Sequence, residues 1–422
     1  MHSFRFIHTA DIHLDSPLLG LESRDDAPIA LIRNATRQAL ENLVALCLEE
    51  QVSFLLIAGD VYDGAWRSVE TGRFFARQML RLANADPPIP VFLVKGNHDA
   101  ESALSREIPV PTVHTFSHRK AATQIIENLG VAVHGQSYAR PDVSEDLSLA
   151  YPPAIVGMFN VGLLHTCAVG RAGHERYAPC DPGALARKGY QYWALGHIHK
   201  REILCEDPPI VFSGNLQGRH VRERDPQGKG CTMVTVEAGE VVDVQHVAID
   251  VVRWDLVDVG ITGCSAIEEV LERIGAQLAE RSRQAAGRLL AARIRLIGSA
   301  AASLQIHLDL AAFTAAVRER IGAMPDEIWL EQILVESKAP ILEGELETGA
   351  SLFGLLSAVR VYAGEHYQVL KQETVAPLAE RLRASDPDLC DELELERPDI
   401  VLDLMPEVEQ AIAAIARGSL TQ

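Results

Sequence analysis

The chain has 422 residues, 47% of them hydrophobic, a formal charge of −19 and seven cysteines. Its length exceeds one ordinary core and implies two or three domains, and its charge argues against a uniformly basic nucleic-acid binder, although screening beyond about 8 Å leaves room for a local basic groove. The scattered, odd-numbered cysteines form no C-x-x-C pair and argue against a disulfide framework or zinc knuckle; with no bilayer-length apolar run and no signal-peptide pattern, a cytoplasmic protein without a membrane partner is expected.

In chain order, a strand-like run at 4–7 leads into Asp11-Ile-His13 and is followed by an amphipathic stretch at 32–50. A second run, 54–58, leads into Gly59-Asp60, and a helical pattern opening near Ser68 covers 69–83. Runs at 91–94, 161–164 and 192–195 lead into Gly96-Asn97-His98-Asp99, His165, and Gly196-His197-Ile198-His199. Each run is short, β-branched or aromatic, and bounded by polar or glycine residues, as a buried strand should be. Ligands of open α/β folds bind at the carboxyl ends of the strands, so the order strand-then-polar-cluster points all five groups at one site. Alternating strands at 232–236 and 241–249, turning near Gly239, are expected to close the sheet of a first domain, 1–250.

Residues 251–340 read as βαβαβ: strands at 252–257, 289–296 and 327–335, helices at 265–283 and 310–320. They carry no ligand-like cluster and read as a small α+β capping domain. Residues 341–422 are acidic and helical, with apolar positions Leu352, Phe353, Leu355, Leu356 and Val359 and a separate stretch at 406–416. Such helices lack a core of their own and pack on the parent domain or dock on a partner.

Two divalent cations about 3.5 to 4 Å apart clamp the attacking and leaving oxygens of an in-line displacement at phosphorus. Asp60, after a glycine that allows a tight turn, is the natural bridge, because one carboxylate offers lone pairs to both cations. In an extended segment Asp11 and His13 share a face and reach one metal; His197 and His199 do likewise, or serve different metals if the loop turns between them. Asn97 supplies an amide oxygen and His165 an imidazole. This thiolate-free donor mixture suits Mn2+ first, then Fe2+, Zn2+ or Mg2+. His98 is then free to bind a phosphate oxygen or protonate the leaving alkoxide, with Asp99 orienting His98 or a ligand imidazole. Cys167, close to His165, reads as a small buried residue, and the remaining histidines as surface or satisfied core positions. Asp15, Ser16 and Asp63 line the cleft or shape turns. The basic run Arg219, His220, Arg222 and Arg224 is a solvated loop or a phosphate-backbone contact. Aromatic residues make up only 5% of the chain, so no base-stacking platform accompanies it.

D-x-H, G-D, G-N-H-D, a strand-terminal histidine and G-H-x-H, in that order, resemble the calcineurin-like metallophosphoesterases. The opening Thr9-Ala-Asp-Ile-His-Leu-Asp-Ser-Pro17, Ser213-Gly-Asn-Leu-Gln-Gly-Arg-His220 and Lys229-Gly-Cys231 are similar to the bacterial DNA-repair exonuclease branch, the SbcD/Mre11-like proteins and their YhaO-like members in particular. The resemblance covers residues 1 to about 250. It implies one metal on Asp11, His13, Asp60 and His199, a second on Asp60, Asn97, His165 and His197, and His98 at the transition state. It also implies a four-layer α/β/β/α sandwich, manganese dependence, DNA as substrate, a homodimer and an SMC-like (SbcC/Rad50-like) ATPase partner. Two other readings keep these residues: hydrolysis of small phosphodiesters or phosphomonoesters, and a scaffold subunit of an ATPase complex.

Overall fold

The computed structural model describes residues 3–17, 28–64, 68–101, 109–168, 178–325, 327–338 and 376–385. It divides into two compact units: residues 1–256 with 280–293 and 326–331, and residues 257–279, 294–325 and 332–422.

The first unit is built on two six-stranded sheets. In the first, β1 (Phe4–Thr9), β2 (Phe54–Ala58), β3 (Val91–Val94) and β4 (Val113–Thr115) run parallel side by side. The second contains β5 (Ala122–Ile126), β6 (Val131–Gly135), β7 (Phe159–His165), β8 (Tyr192–Gly196), β9 (Glu202–Glu206) and β10 (Pro209–Phe212), in the order β5-β6-β7-β8-β10-β9. β11 (Gly230–Glu237) and β12 (Glu240–Ala248) complete the first sheet as an antiparallel ribbon beside β1, as their alternation predicts.

Side-chain alternation decides which face meets what. Phe4 and Phe6, Phe54 and Leu56, and Phe92 and Val94 point toward the second sheet, where Val131, Val133, Phe159, Val161, Leu163 and Tyr192 meet them in one buried cluster. Phe4 lies edge-on to Phe159 at 5.5 Å and Phe6 edge-on to Tyr192 at 5.2 Å, a geometry aromatic quadrupoles favour. The alternate residues Ile7, Leu55, Ile57, Val91 and Leu93 face the helices α1 (Ile29–Glu49) and α2 (Val69–Ala83), through Leu40, Leu43, Val44, Phe75 and Met79. On the second sheet's other face, Leu164, Trp193, Leu195, Ile210 and Phe212 are covered by Tyr151, Tyr190 and Leu185 of the five-residue helix α4 (Pro182–Ala186). α3 (Asn97–Glu101) follows β3.

A third, three-stranded sheet has the order β13 (Val252–Gly260), β14 (Leu289–Ile297), β15 (Ile328–Val335), with α5 (Ile267–Ala285) joining the first two strands. Val270, Ile274 and Leu278, one helical turn apart, are fully buried. α6 (Ala302–Leu308), which the periodicity does not reveal, precedes α7 (Leu310–Gly322), whose first turn is capped by Asp309 accepting from Ala312 N at 2.8 Å. In the C-terminal region α8 (Ala376–Ser385) is a helix, while the apolar positions at 352–359 and the stretch at 406–416 lie outside the described residues. Among the described residues no helix is long and apolar enough to cross a membrane.

Candidate metal centre

The carboxyl ends of β1, β2 and β3 deliver Asp11, His13, Asp60 and Asn97, and those of β7 and β8 deliver His165, His197 and His199. The loops turn sharply to do so. Asp11, His13, Asp60 and His197 have positive φ (50°, 44°, 52° and 100°), a conformation that aspartate and histidine tolerate better than bulkier residues and that collects at functional sites. The first two loops are tied by their backbones, Asp11 N donating to Gly59 O and His13 N to Asp60 O, both at 3.0 Å. Two glycines allow the approach: a Cβ on Gly96 would stand 2.2 Å from Asp60 Oδ1, and one on Gly196 would stand 1.9 Å from Ala58 O.

Three groups of potential ligands result; one, His13 with Asp63 and His98, overlaps the expected set only through His13, and the other two consist of expected ligands. Asp11, His13 and His199 each offer a donor atom, as do Asp60, His165 and His197, and within each group these atoms lie within 4.8 Å of one another. Asp60 spans both, its Oδ2 lying 4.0 Å from His13 Nε2 and 3.4 Å from His165 Nε2. Asn97 joins the second group through Oδ1, 2.9 Å from His165 Nε2. The seven expected ligands thus converge on one region.

The donor chemistry fits divalent cations. His165 turns Nδ1 to Ala58 O at 2.8 Å, and burial pulls its pKa down to about 3, so the neutral ring donates there and aims its Nε2 lone pair at the amide oxygen of Asn97. His199 turns Nδ1 to Glu223 Oε1 at 2.7 Å, which leaves its Nε2 facing His13 Nε2 at 3.1 Å. Lone pairs converging at such distances are what a cation between them accommodates. His13 is itself buried, held neutral by desolvation, and its Nδ1 has no hydrogen-bond partner among the described residues. Burial raises the Asp11 and Asp60 carboxyls, the latter to about 6, and the nearby charge of Asp60 raises Asp11 further. Neighbouring positive charge would return both to their ionised forms.

His98 stands beside this set. Its backbone N–H donates to Asp60 Oδ1 at 3.0 Å, and its Nδ1 lies 3.0 Å from Asp63 Oδ1. Burial opposes protonation of His98, but Asp63 and Asp60 together outweigh it and raise the imidazole above its usual value; half-buried Asp63 is, despite its desolvation, held far below the usual carboxylate range by the facing imidazoles of His13 and His98. This corrects the role expected of Asp99. Its oxygens accept instead from Tyr62 N at 3.0 Å and Gly96 N at 3.1 Å, so Asp99 ties the loops after β2 and β3 together, with burial raising its pKa to about 7.

The basic run divides. Arg219 is largely buried and its guanidinium meets Glu223 Oε1 at 2.8 Å and Asp63 Oδ2 at 3.5 Å, while His220 and Arg222 are exposed. Asp15 is engaged by Arg37 and Thr71, a structural role; Ser16 donates to Asp63. The residue sequence reasoning passes over is Glu223, which looks like an interruption of the basic run but is buried against His199. Its one signal is its place four residues after Arg219, a spacing that pairs opposite charges across a turn.

The family profile described as Calcineurin-like phosphoesterase matches residues 4–201, and one described as Metallophosphoesterase YhaO, middle domain, matches residues 254–338. The chain is 34% identical over 262 residues to the metallophosphoesterase YhaO of Bacillus subtilis, covering 61% of this chain and 63% of that protein. It is 23% identical over 295 residues to the DNA double-strand break repair protein Mre11 of Methanopyrus kandleri, covering 64% and 62%. The match thus spans less than two thirds of either relative's length. Among solved structures, a dimetal phosphatase from Danio rerio aligns with 58% of this chain and 97% of its own at 14% identity and a TM-score of 0.36.

Proposed function

Because residues 4–201 belong to the calcineurin-like metallophosphoesterases, we propose that this protein is a two-metal phosphodiesterase acting on DNA, an exonuclease or end-processing nuclease that uses Mn2+. The observation that carries the reading is the pair of ligand groups sharing Asp60, with the His98–Asp63 pair beside them. Two divalent cations bound there supply Lewis acidity at phosphorus and lower the pKa of water. The chain's own side chains do the rest. Asp60 balances the charge between the two groups, the carbonyl-anchored His165 keeps one lone pair aimed inward, and His98, oriented by Asp63 at 3.0 Å, is placed to supply a proton to the departing alkoxide. DNA as substrate is supported by the likeness to a relative named as a DNA double-strand break repair protein. An SMC-like ATPase partner and a homodimer belong to the same proposal.

One observation favours a smaller substrate. The chain carries a formal charge of −19, and Arg219, the expected phosphate contact, is already paired with Glu223 and Asp63. The deciding experiment offers bis(p-nitrophenyl) phosphate, nucleotides and end-labelled oligonucleotides to the Mn2+-loaded protein and to its His98→Ala variant. Oligonucleotide turnover lost in the variant, with metal content retained, supports the nuclease reading. Turnover of small esters alone favours the second, and cleavage unchanged by the substitution removes His98 from the chemistry.

A further inference from the structure

At the rim of the metal centre lies a carboxylate that neither ligand group includes. Glu223 ends the 3-10 turn Val221–Glu223, and its side chain is only 6% exposed. Oε1 sits 2.7 Å from His199 Nδ1 and 2.8 Å from Arg219 Nη2. Oε2 accepts from Arg219 N at 2.8 Å and from Asn215 Nδ2 at 2.9 Å. Every donor around this carboxylate is an N–H, so both oxygens are fully engaged.

We propose that Glu223, held by Arg219 and Asn215, is a positioning residue that fixes His199 with its proton on Nδ1 and its Nε2 lone pair turned toward Asp11 and His13. The inference rests on the two-metal reading of the site and adds to it the means by which one ligand is set. Orientation by a second carboxylate is worth about 10- to 100-fold in metal affinity where a ligating imidazole depends on it. The backbone holds the same residue from behind: His199 O accepts from Lys229 Nζ at 2.6 Å and from Asn215 N at 3.2 Å, so the ring can rotate only if the Glu223 contact is lost. Arg219 then carries a different duty from contacting a phosphate. Its guanidinium lies between Glu223, which sets His199, and Asp63, which sets His98, and so links the metal ligand to the proton donor through two ion pairs.

A glutamine cannot replace this carboxylate. If its amide oxygen faces His199, its NH2 meets the Arg219 and Asn215 N–H groups, donor against donor; if it is flipped, the NH2 confronts His199 Nδ1–H or forces the other tautomer. The test is a calorimetric Mn2+ titration of the full chain, with the visible spectrum of the Co2+-loaded protein as a second readout, on wild type, Glu223→Gln, Glu223→Asp, His199→Gln and the Glu223→Gln/His199→Gln double variant. The wild type is expected to bind two ions. Glu223→Gln should weaken one of them by about 10- to 100-fold and alter its Co2+ bands, leaving the other ion unchanged. In the His199→Gln background the same substitution should cost nothing further, because its effect runs through that ring. Glu223→Asp, which keeps the charge and retains part of the contact, should fall between and serves if the glutamine variant does not fold. Equal affinities and spectra in Glu223→Gln, equal weakening of both ions, or an added loss on top of His199→Gln would each overturn the inference. A wild type that binds no metal would instead overturn the two-metal reading itself.

Discussion

The two halves of the metal centre are held by different means. His165 is anchored through its Nδ1 to a main-chain carbonyl, Ala58 O, inside the sheet seam with no solvent exposure, and Asn97 meets it from the turn after β3. His199, whose side chain is 28% exposed, is anchored by a glutamate that is itself held by an arginine and an asparagine. A carbonyl in a parallel sheet cannot be mutated away, whereas a carboxylate on a short turn can. The buried half is therefore fixed by the fold, and the outer half can be adjusted without disturbing the sheets.

That contrast can be broken in stages. The largest effect is expected from Asp60→Asn, because Asp60 reaches both halves. Loss of a cation removes several kcal/mol of transition-state stabilisation, so turnover of bis(p-nitrophenyl) phosphate should drop by roughly a thousandfold or more, and calorimetry should show both ions weakened. Weakening of a single ion would mean that the halves are independent.

Gly196→Ala attacks the buried half first, since the new Cβ would press hardest on the carbonyl that anchors His165. A loss of about 1–3 kcal/mol in a denaturant melt, the usual cost of overpacking, is expected together with weaker binding at the His165 side. An unchanged melting midpoint would show that the seam yields more easily than its contacts suggest. The smallest effect belongs to Arg222→Ala on the exposed face of its turn, expected to leave metal affinity and small-ester turnover within about twofold, as surface substitutions usually do. A larger change would extend the adjustable half to the whole basic run.

The ligand set was readable because each donor follows directly on an apolar run, so a local pattern carried global geometry. Asp11, His13, Asp60, Asn97, His165, His197 and His199 converge as that pattern implies. What escaped depends on contacts between distant segments. Glu223 meets His199 across 24 residues and resembles an ordinary acid in a basic loop, and Asp63 faces His98 across 35 residues in a segment equally suited to a turn. Asp99 was misread for the opposite reason: adjacency to His98 suggested a partnership, but consecutive residues at the start of a helix point apart, and its carboxylate finds backbone N–H groups instead. Among the elements, the buried strands and the long helices announced themselves. β5 and β9 lie at the edges of their sheet with mixed exposure, where alternation is weak, and β4 is only three residues long.

The donors are spread from residue 11 to residue 199 and are supplied by two separate sheets whose aromatic faces must first come together. A nascent chain that has completed only β1 to β3 therefore owns four of the seven candidate ligands, arranged around an open side. The full set of candidate ligands comes together only where both sheets are packed face to face.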